Sequence, residues 1–188
     1  MSVVSTTKMT AQQFLLLGDD PPGVRLELVD GEIAVSPSPA PDHSYVDTRL
    51  RAILTTYVEA KKLGMILGDV DTIFGSHDVR RPDIIYFSKG RFHLIGKKAL
   101  KGPPDLCVEI LSPSSIQIDR KDKFKQYARS RVRDYWIVDP ENLTIQAYRL
   151  AGSSYRLAGS GKRNEVVRLP PFPDLEIPLS NLWFPLAE

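Results

Sequence analysis

Two periods alternate along the chain. "VRLELVDGEIAVSP" switches between apolar and polar positions on both sides of Asp30-Gly31, which predicts a hairpin closed by a two-residue turn. In "PDHSYVDTRLRAILTTYVEAKKLG", Val46, Leu50, Ile53, Leu54, Tyr57 and Val58 recur at helical spacing, and Gly64 stands where that helix is expected to end. Ahead of both, Thr10 with Gln13 has the form of a capping box opening a short helix that Gly18 ends. Strands are expected within "MILGDVDTIF", "PDIIYF" and "DLCVEILS". A second helix follows from about Asp119 to Arg129, with Phe124, Tyr127 and Ala128 on one stripe. Beyond it, "DYWIVD", "LTIQAYRL", "YRLAGS" and "EVVRL" read as strands, and those after about residue 141 as antiparallel additions to one sheet. The pattern as a whole is α/β, a mixed, strongly twisted sheet flanked by helices.

Composition narrows the class. The chain has 188 residues, 42% hydrophobic and 26% charged, enough for one globular domain with a proper core. No apolar run approaches the roughly 18 residues of a membrane span, and the start lacks the charged and apolar regions of a signal peptide, so a cytoplasmic protein with no membrane partner is expected. Cys107 is the one cysteine and lies in an apolar strand, as a buried thiol would. Net charge is only +2, yet it is unevenly distributed. Arg120, Lys121, Lys123, Lys125, Arg129, Arg131 and Arg133 crowd one segment, and Lys97, Lys98 and Lys101 another. Such patches suit a polyanion, although charge by itself equally describes a solvated helix face.

Two acidic residues stand where apolar ones belong. Asp83 opens "PDIIYF", and Glu109 interrupts Leu106, Cys107, Val108, Ile110 and Leu111. A lone buried carboxylate costs several kcal/mol or more, so each needs a partner. Two carboxylates on adjacent strands could share a hard divalent cation such as Mg²⁺. The plainer readings are a turn residue after Pro82 for Asp83, and for Glu109 an ion pair with an arginine of the basic helix. Among the lysines of that helix, Lys121 and Lys123 border opposite edges of the apolar stripe, and helical periodicity does not choose between them. Lys125 points further out.

The order "ELVDGEI", "SP", "H", then "RPDIIYF", then "VEILSPS" with a following Asp, Lys and Tyr, then "DYWIVDP", resembles the Uma-two family of restriction endonucleases, within the PD-(D/E)xK nuclease superfamily. The resemblance runs from about Leu26 to Pro140, with an echo in "FPDLEIPLSNLW". It implies a restriction-endonuclease-like core with extra antiparallel strands, a single domain over 1–188, and a Mg²⁺ or Mn²⁺ ion held by Asp83, Glu109 and the carbonyl of Ile110. The superfamily's lysine would fall two residues after Glu109, where this chain has Leu111. In the Uma-two pattern the lysine stands in the following helix, four residues before a tyrosine, which points to Lys123 and Tyr127. Glu27 and His43 carry over as accessory residues: Glu27 as a water-mediated ligand or a partner for Lys123, its alternative being an outward strand charge. Asp119 has the place of a helix N-cap, and Trp136 reads as core. The family's glycine before "V-x-[DE]-Y-W" is Arg131 here, so that turn needs another solution or a strained backbone.

The implied activity is metal-dependent hydrolysis of phosphodiester bonds in nucleic acid, DNA first, by a homodimer. Lys97, Lys98, Lys101, Arg120 and Lys121 would contact phosphates. The rival from another class is an inactive nuclease-fold module that binds nucleic acid or protein. A two-carboxylate glycosidase is weaker, because only Tyr86 and Phe87 lie near Asp83 in sequence to form a sugar platform.

Overall fold

The computed structural model describes residues 8–113 and 115–185. The first helix, α1 (Ala11–Phe14), opens on the expected capping box: Thr10 Oγ1 accepts from the Gln13 N–H at 3.3 Å, and the Thr10 N–H donates to Gln13 Oε1 at 2.8 Å. The hairpin strands β1 (Val24–Val29) and β2 (Glu32–Pro37) are joined by Asp30 at φ 49° and Gly31 at φ 81°. Two successive positive angles give the turn a twist that matches its strands.

The long helix α2 (Pro41–Ala60) buries His43, Val46, Leu50, Leu54 and Val58. It stops before Gly64. Lys62 takes the left-handed conformation at φ 54°, its N–H donating to Glu59 O at 3.0 Å while the Leu63 N–H donates to Val58 O at 2.9 Å. Gly64 instead begins β3 (Gly64–Leu67), where a Cβ would sit 1.9 Å from the Phe87 carbonyl oxygen. That glycine permits strand approach and does not terminate the helix.

"MILGDVDTIF" turns out to be two strands in different sheets, β3 and β4 (Thr72–Gly75), parted at Gly68 and Asp69. The next strand, β5 (Asp78–Arg80), has three residues, too few for its period to show in the sequence. Then come β6 (Ile84–Ser88), β7 (Leu106–Ile110), a helical segment, β8 (Asp134–Asp139), β9 (Thr144–Ala151) and β10 (Ser154–Lys162). The large sheet runs β10-β9-β8-β7-β6-β3, with β7 and β8 parallel and the other neighbours antiparallel. The small one runs β2-β1-β5-β4. Of the strands after residue 141, β9 and β10 extend the large sheet, whereas β11 (Val166–Leu169) and β12 (Phe172–Pro178) pair separately.

Strand period distributes the core. Ile84, Val108 and Trp136 face α2 and the β11–β12 pair, while Ile85, Cys107, Leu111, Tyr135 and Ile137 face the opposite layer. Trp136 is core, as expected, and its indole N–H donates to Pro170 O. Glu109 shares the parity of Cys107 and Leu111, so it points toward the helix that links the parallel pair. That helix opens with a π turn, Ile118–Lys123, and continues as α3 (Phe124–Arg129). It ends on Arg131 at φ 64°, with the Arg131 N–H on Ala128 O and the Val132 N–H on Tyr127 O. Arg131, where the resemblance implies a glycine, therefore takes a left-handed backbone despite its bulkier side chain. Asp119 is not an N-cap: it lies inside the π turn, and its own N–H donates to Ser115 O at 2.9 Å. Among the described residues, no helix is long and apolar enough to cross a membrane.

Candidate active site

The site forms where two strands stop pairing. The β6–β7 ladder ends at Ile84 opposite Val108, two residues short of Ile110. Asp83 substitutes for the missing strand: its Oδ2 accepts the Ile110 N–H at 2.8 Å. The Leu111 N–H bonds to Val138 O on β8, so the polar groups of Ile110 lie on the other edge of β7, its carbonyl included. Asp83 also has His43 Nε2 at 3.2 Å and Arg25 Nη1 at 3.5 Å. Burial would raise its pKa, but His43, Lys123 and the Ile110 amide outweigh burial and hold the carboxyl below its ordinary range. The same contact raises the His43 imidazole pKa against the opposing effect of burial.

Glu109 is 2% exposed and has two donors. The Lys123 ammonium donates to Oε2 at 2.7 Å and the Tyr127 hydroxyl to Oε1 at 2.5 Å. Lys123 also lies 3.0 Å from Asp119 Oδ1, an ion pair without hydrogen-bond alignment. One ammonium thus faces two buried carboxylates. Burial pushes Glu109 up to about 8, with Asp119, Asp83 and Glu27 adding to the effect and Lys123 opposing it. For Lys123, burial favours the neutral amine, yet the same carboxylates outweigh it and raise its pKa. Lys121 is exposed and Lys123 is 8% exposed, so of the two it is Lys123 that the π turn aims inward.

Glu27 is buried at 5% exposure, not an outward charge. Its Oε2 pairs with Arg80 Nη1 at 3.0 Å, and its Oε1 accepts the Arg81 N–H at 2.8 Å. Burial alone would raise its pKa; Lys123, Arg80 and the Arg81 amide together lower it. Arg80, itself 3% exposed, was not singled out by the sequence pattern, since nothing marks one arginine of a three-residue strand.

A cleft of about 340 Å³ opens over these groups, with Arg25, Glu27, His43, Asp83, Glu109, Ile110, Asp119 and Lys123 among its walls. Val35, Pro37, Pro39, Pro113 and Ile118 also line it. Lys97, Lys98 and Lys101 are exposed and do not line it. Arg120 turns away to Gln146 at 2.8 Å and Asp139 at 3.3 Å, in a separate polar cleft. Glu109 does have an ion-pair partner from the basic helix, but it is a lysine. Among the described residues, no group of three or more His, Cys, Asp or Glu side chains is arranged to hold a metal ion. Two carboxylates beside a main-chain carbonyl are a smaller set than that, and all three are hard oxygen donors, the kind that suits Mg²⁺ or Mn²⁺.

The chain is similar to known proteins along nearly its whole length. A crystal structure titled as a "putative nuclease belonging to DUF820", from Anabaena variabilis, superposes with a TM-score of 0.76, covering 93% of this chain and 97% of that one at 22% identity. At that identity the likeness shows the fold, a mixed twisted sheet with flanking helices. No curated protein matches the chain. The family described as "Putative restriction endonuclease" (Uma2) matches residues 11–180, and the chain belongs to this Uma-two family of restriction-endonuclease-like nucleases.

Proposed function

We propose that the chain is a divalent-cation-dependent endonuclease acting on phosphodiester bonds in nucleic acid, with DNA as its first substrate. The observation that carries the reading is Glu109: a carboxylate set inside a buried strand, on the wall of an open cleft that Asp83 also lines, with an ammonium 2.7 Å away. Asp83 and Glu109, with the Ile110 carbonyl, would hold Mg²⁺ or Mn²⁺. When bound, such a cation makes water a stronger nucleophile and offsets charge on the scissile phosphate.

The chain's own residues define the rest. Lys123 keeps its proton because carboxylates surround it, so it acts as an ammonium and not as a base. It donates hydrogen bonds to the attacking water or to the phosphate oxygens as charge develops there. Tyr127, buried behind Glu109, orients that carboxylate. His43 and Arg25 orient Asp83. Glu27 is no ligand in this reading, since both its oxygens are occupied by Arg80 and the Arg81 amide. We read residues 1–188 as one domain, working in the cytoplasm as a homodimer, an arrangement that suits cutting both strands.

One observation favours the rival reading of a nuclease-fold module without turnover: both central carboxylates are already matched by donors of the chain itself. Incubating supercoiled plasmid and single-stranded DNA with Mg²⁺ or Mn²⁺ separates the two. The endonuclease reading expects cleavage that EDTA and Asp83→Ala abolish. Salt-sensitive DNA binding with no cleavage by the folded wild type would support the module instead.

A further inference from the structure

Arg80 has no part in the chemistry above, yet its side chain is more enclosed than that of Lys123, 3% against 11% exposed. A guanidinium this deep is retained only where partners replace its hydration. Two do so from different elements. Nη1 donates to Glu27 Oε2 on β1 at 3.0 Å, and Nε donates to Gln126 Oε1 on α3 at 2.8 Å. Arg80 itself closes β5, three residues before Asp83. The other oxygen of Glu27 accepts the Arg81 N–H, so Glu27 holds the backbone of the turn that delivers Asp83. Gln126 stands three residues after Lys123 and directly before Tyr127, and its amide donates onward to Asp78 Oδ1 at 2.7 Å.

We infer that Arg80 is a positioning residue for the reaction: by bridging Glu27 on β1 to Gln126 on α3, it holds the helix bearing Lys123 and Tyr127 in register with the turn bearing Asp83. The inference rests on the nuclease reading of the site and deepens it. Arg80 does not line the cleft, so it acts through these partners and not on the substrate. The planar fork is what matters, because its donors point in two fixed directions, whereas a lysine offers one point charge on a flexible stem that fixes neither direction. Displacements near 1 Å at a reacting centre cost on the order of 100-fold in rate.

The test compares wild type with Arg80→Lys and with the double variant Arg80→Met/Glu27→Gln, which leaves no unpaired buried carboxylate. Plasmid cleavage in Mn²⁺ is measured at a temperature where each protein is folded, and Mn²⁺ affinity is measured by calorimetry. Arg80→Lys is expected to lower kcat about 10- to 100-fold with KM for DNA unchanged, and to weaken Mn²⁺ binding severalfold. The double variant is expected to keep its thermal midpoint without recovering kcat. A folded Arg80→Lys with wild-type kcat overturns the inference, as does a raised KM at unchanged kcat, which would make Arg80 a DNA contact. If the wild type binds Mn²⁺ but does not cut DNA, undiminished affinity in Arg80→Lys overturns it. A folded wild type that neither binds Mn²⁺ nor cleaves defeats the nuclease reading, and the inference with it.

Discussion

The Tyr127 hydroxyl meets Glu109 Oε1 at 2.5 Å, deep in the layer between β7 and α3. Tyr127 is fully buried, so this bond is the carboxylate's fixed reference on one side while Lys123 holds the other. Tyr127→Phe leaves a buried acceptor half satisfied. The expected loss is about 1–3 kcal/mol of stability, read by urea unfolding, together with weaker Mn²⁺ binding. Unchanged stability would mean that the bond contributes nothing.

Lys123 and a cation compete for Glu109. Lys123→Met is therefore expected to bind Mn²⁺ at least as tightly as wild type while losing roughly 10²–10³ in kcat, the cost typical of removing one hydrogen-bond donor from a transition state. Asp83→Ala, by contrast, loses both binding and cleavage. Calorimetry beside a cleavage assay distinguishes these patterns. Weaker binding in Lys123→Met would contradict the competition.

Acid and alkali act on the site in opposite senses. Burial and the neighbouring carboxylates raise Glu109 from 4.5 to about 8 in the metal-free fold. Between those values the folded chain keeps a proton that the unfolded chain releases. Its stabilising contribution is therefore full below about pH 4.5 and is lost as pH rises through about 8. Asp83 and Glu27, with lowered values, contribute the opposite trend, present above the ordinary carboxylate range and lost on acidification. Subtracting the stability of Glu109→Gln from that of wild type, both in EDTA, isolates the first effect. The difference should fall across this window, by on the order of a few kcal/mol at most, and a flat or rising difference would contradict it.

Arg131 holds φ 64° at the end of α3, a conformation that costs a side-chain-bearing residue about 1–2 kcal/mol. Arg131→Gly removes that strain, gives up the exposed bond from Nη1 to Gly152 O, and increases the freedom of the unfolded chain. The net expectation is a gain of about 0.5–1 kcal/mol, seen as a higher thermal midpoint. A lower midpoint would show that the Gly152 contact outweighs the strain.

Much of this was legible from particular residues. The Asp30-Gly31 turn, the capping box and the helical spacing of α2 are local signals, and each appears where its pattern stands. Asp83 and Glu109 stood out because a carboxylate in an apolar run needs a partner. Periodicity did not tell Lys123 from Lys121, because it does not describe the π turn that carries both, and only the family resemblance pointed to Lys123. The end of α2 was obscured because Lys62 performs a turn for which glycine is the usual signal, whereas α3 ends at Arg129 as expected and Arg131 takes the strained left-handed turn. Gly64 looked like that signal, but its missing side chain serves the approach of β3 to β6. Arg80 and the inward face of Glu27 depend on contacts between residues some 50 positions apart, which no local pattern encodes.

The central claim is that Asp83 and Glu109 together hold a divalent cation. Calorimetric titration of Mn²⁺ and Mg²⁺ into the wild type, Asp83→Ala and Glu109→Gln, each with and without a DNA oligonucleotide, tests it most directly. The account predicts binding in the wild type that disappears in both variants. A folded wild type that binds neither ion, even with DNA present, would contradict it.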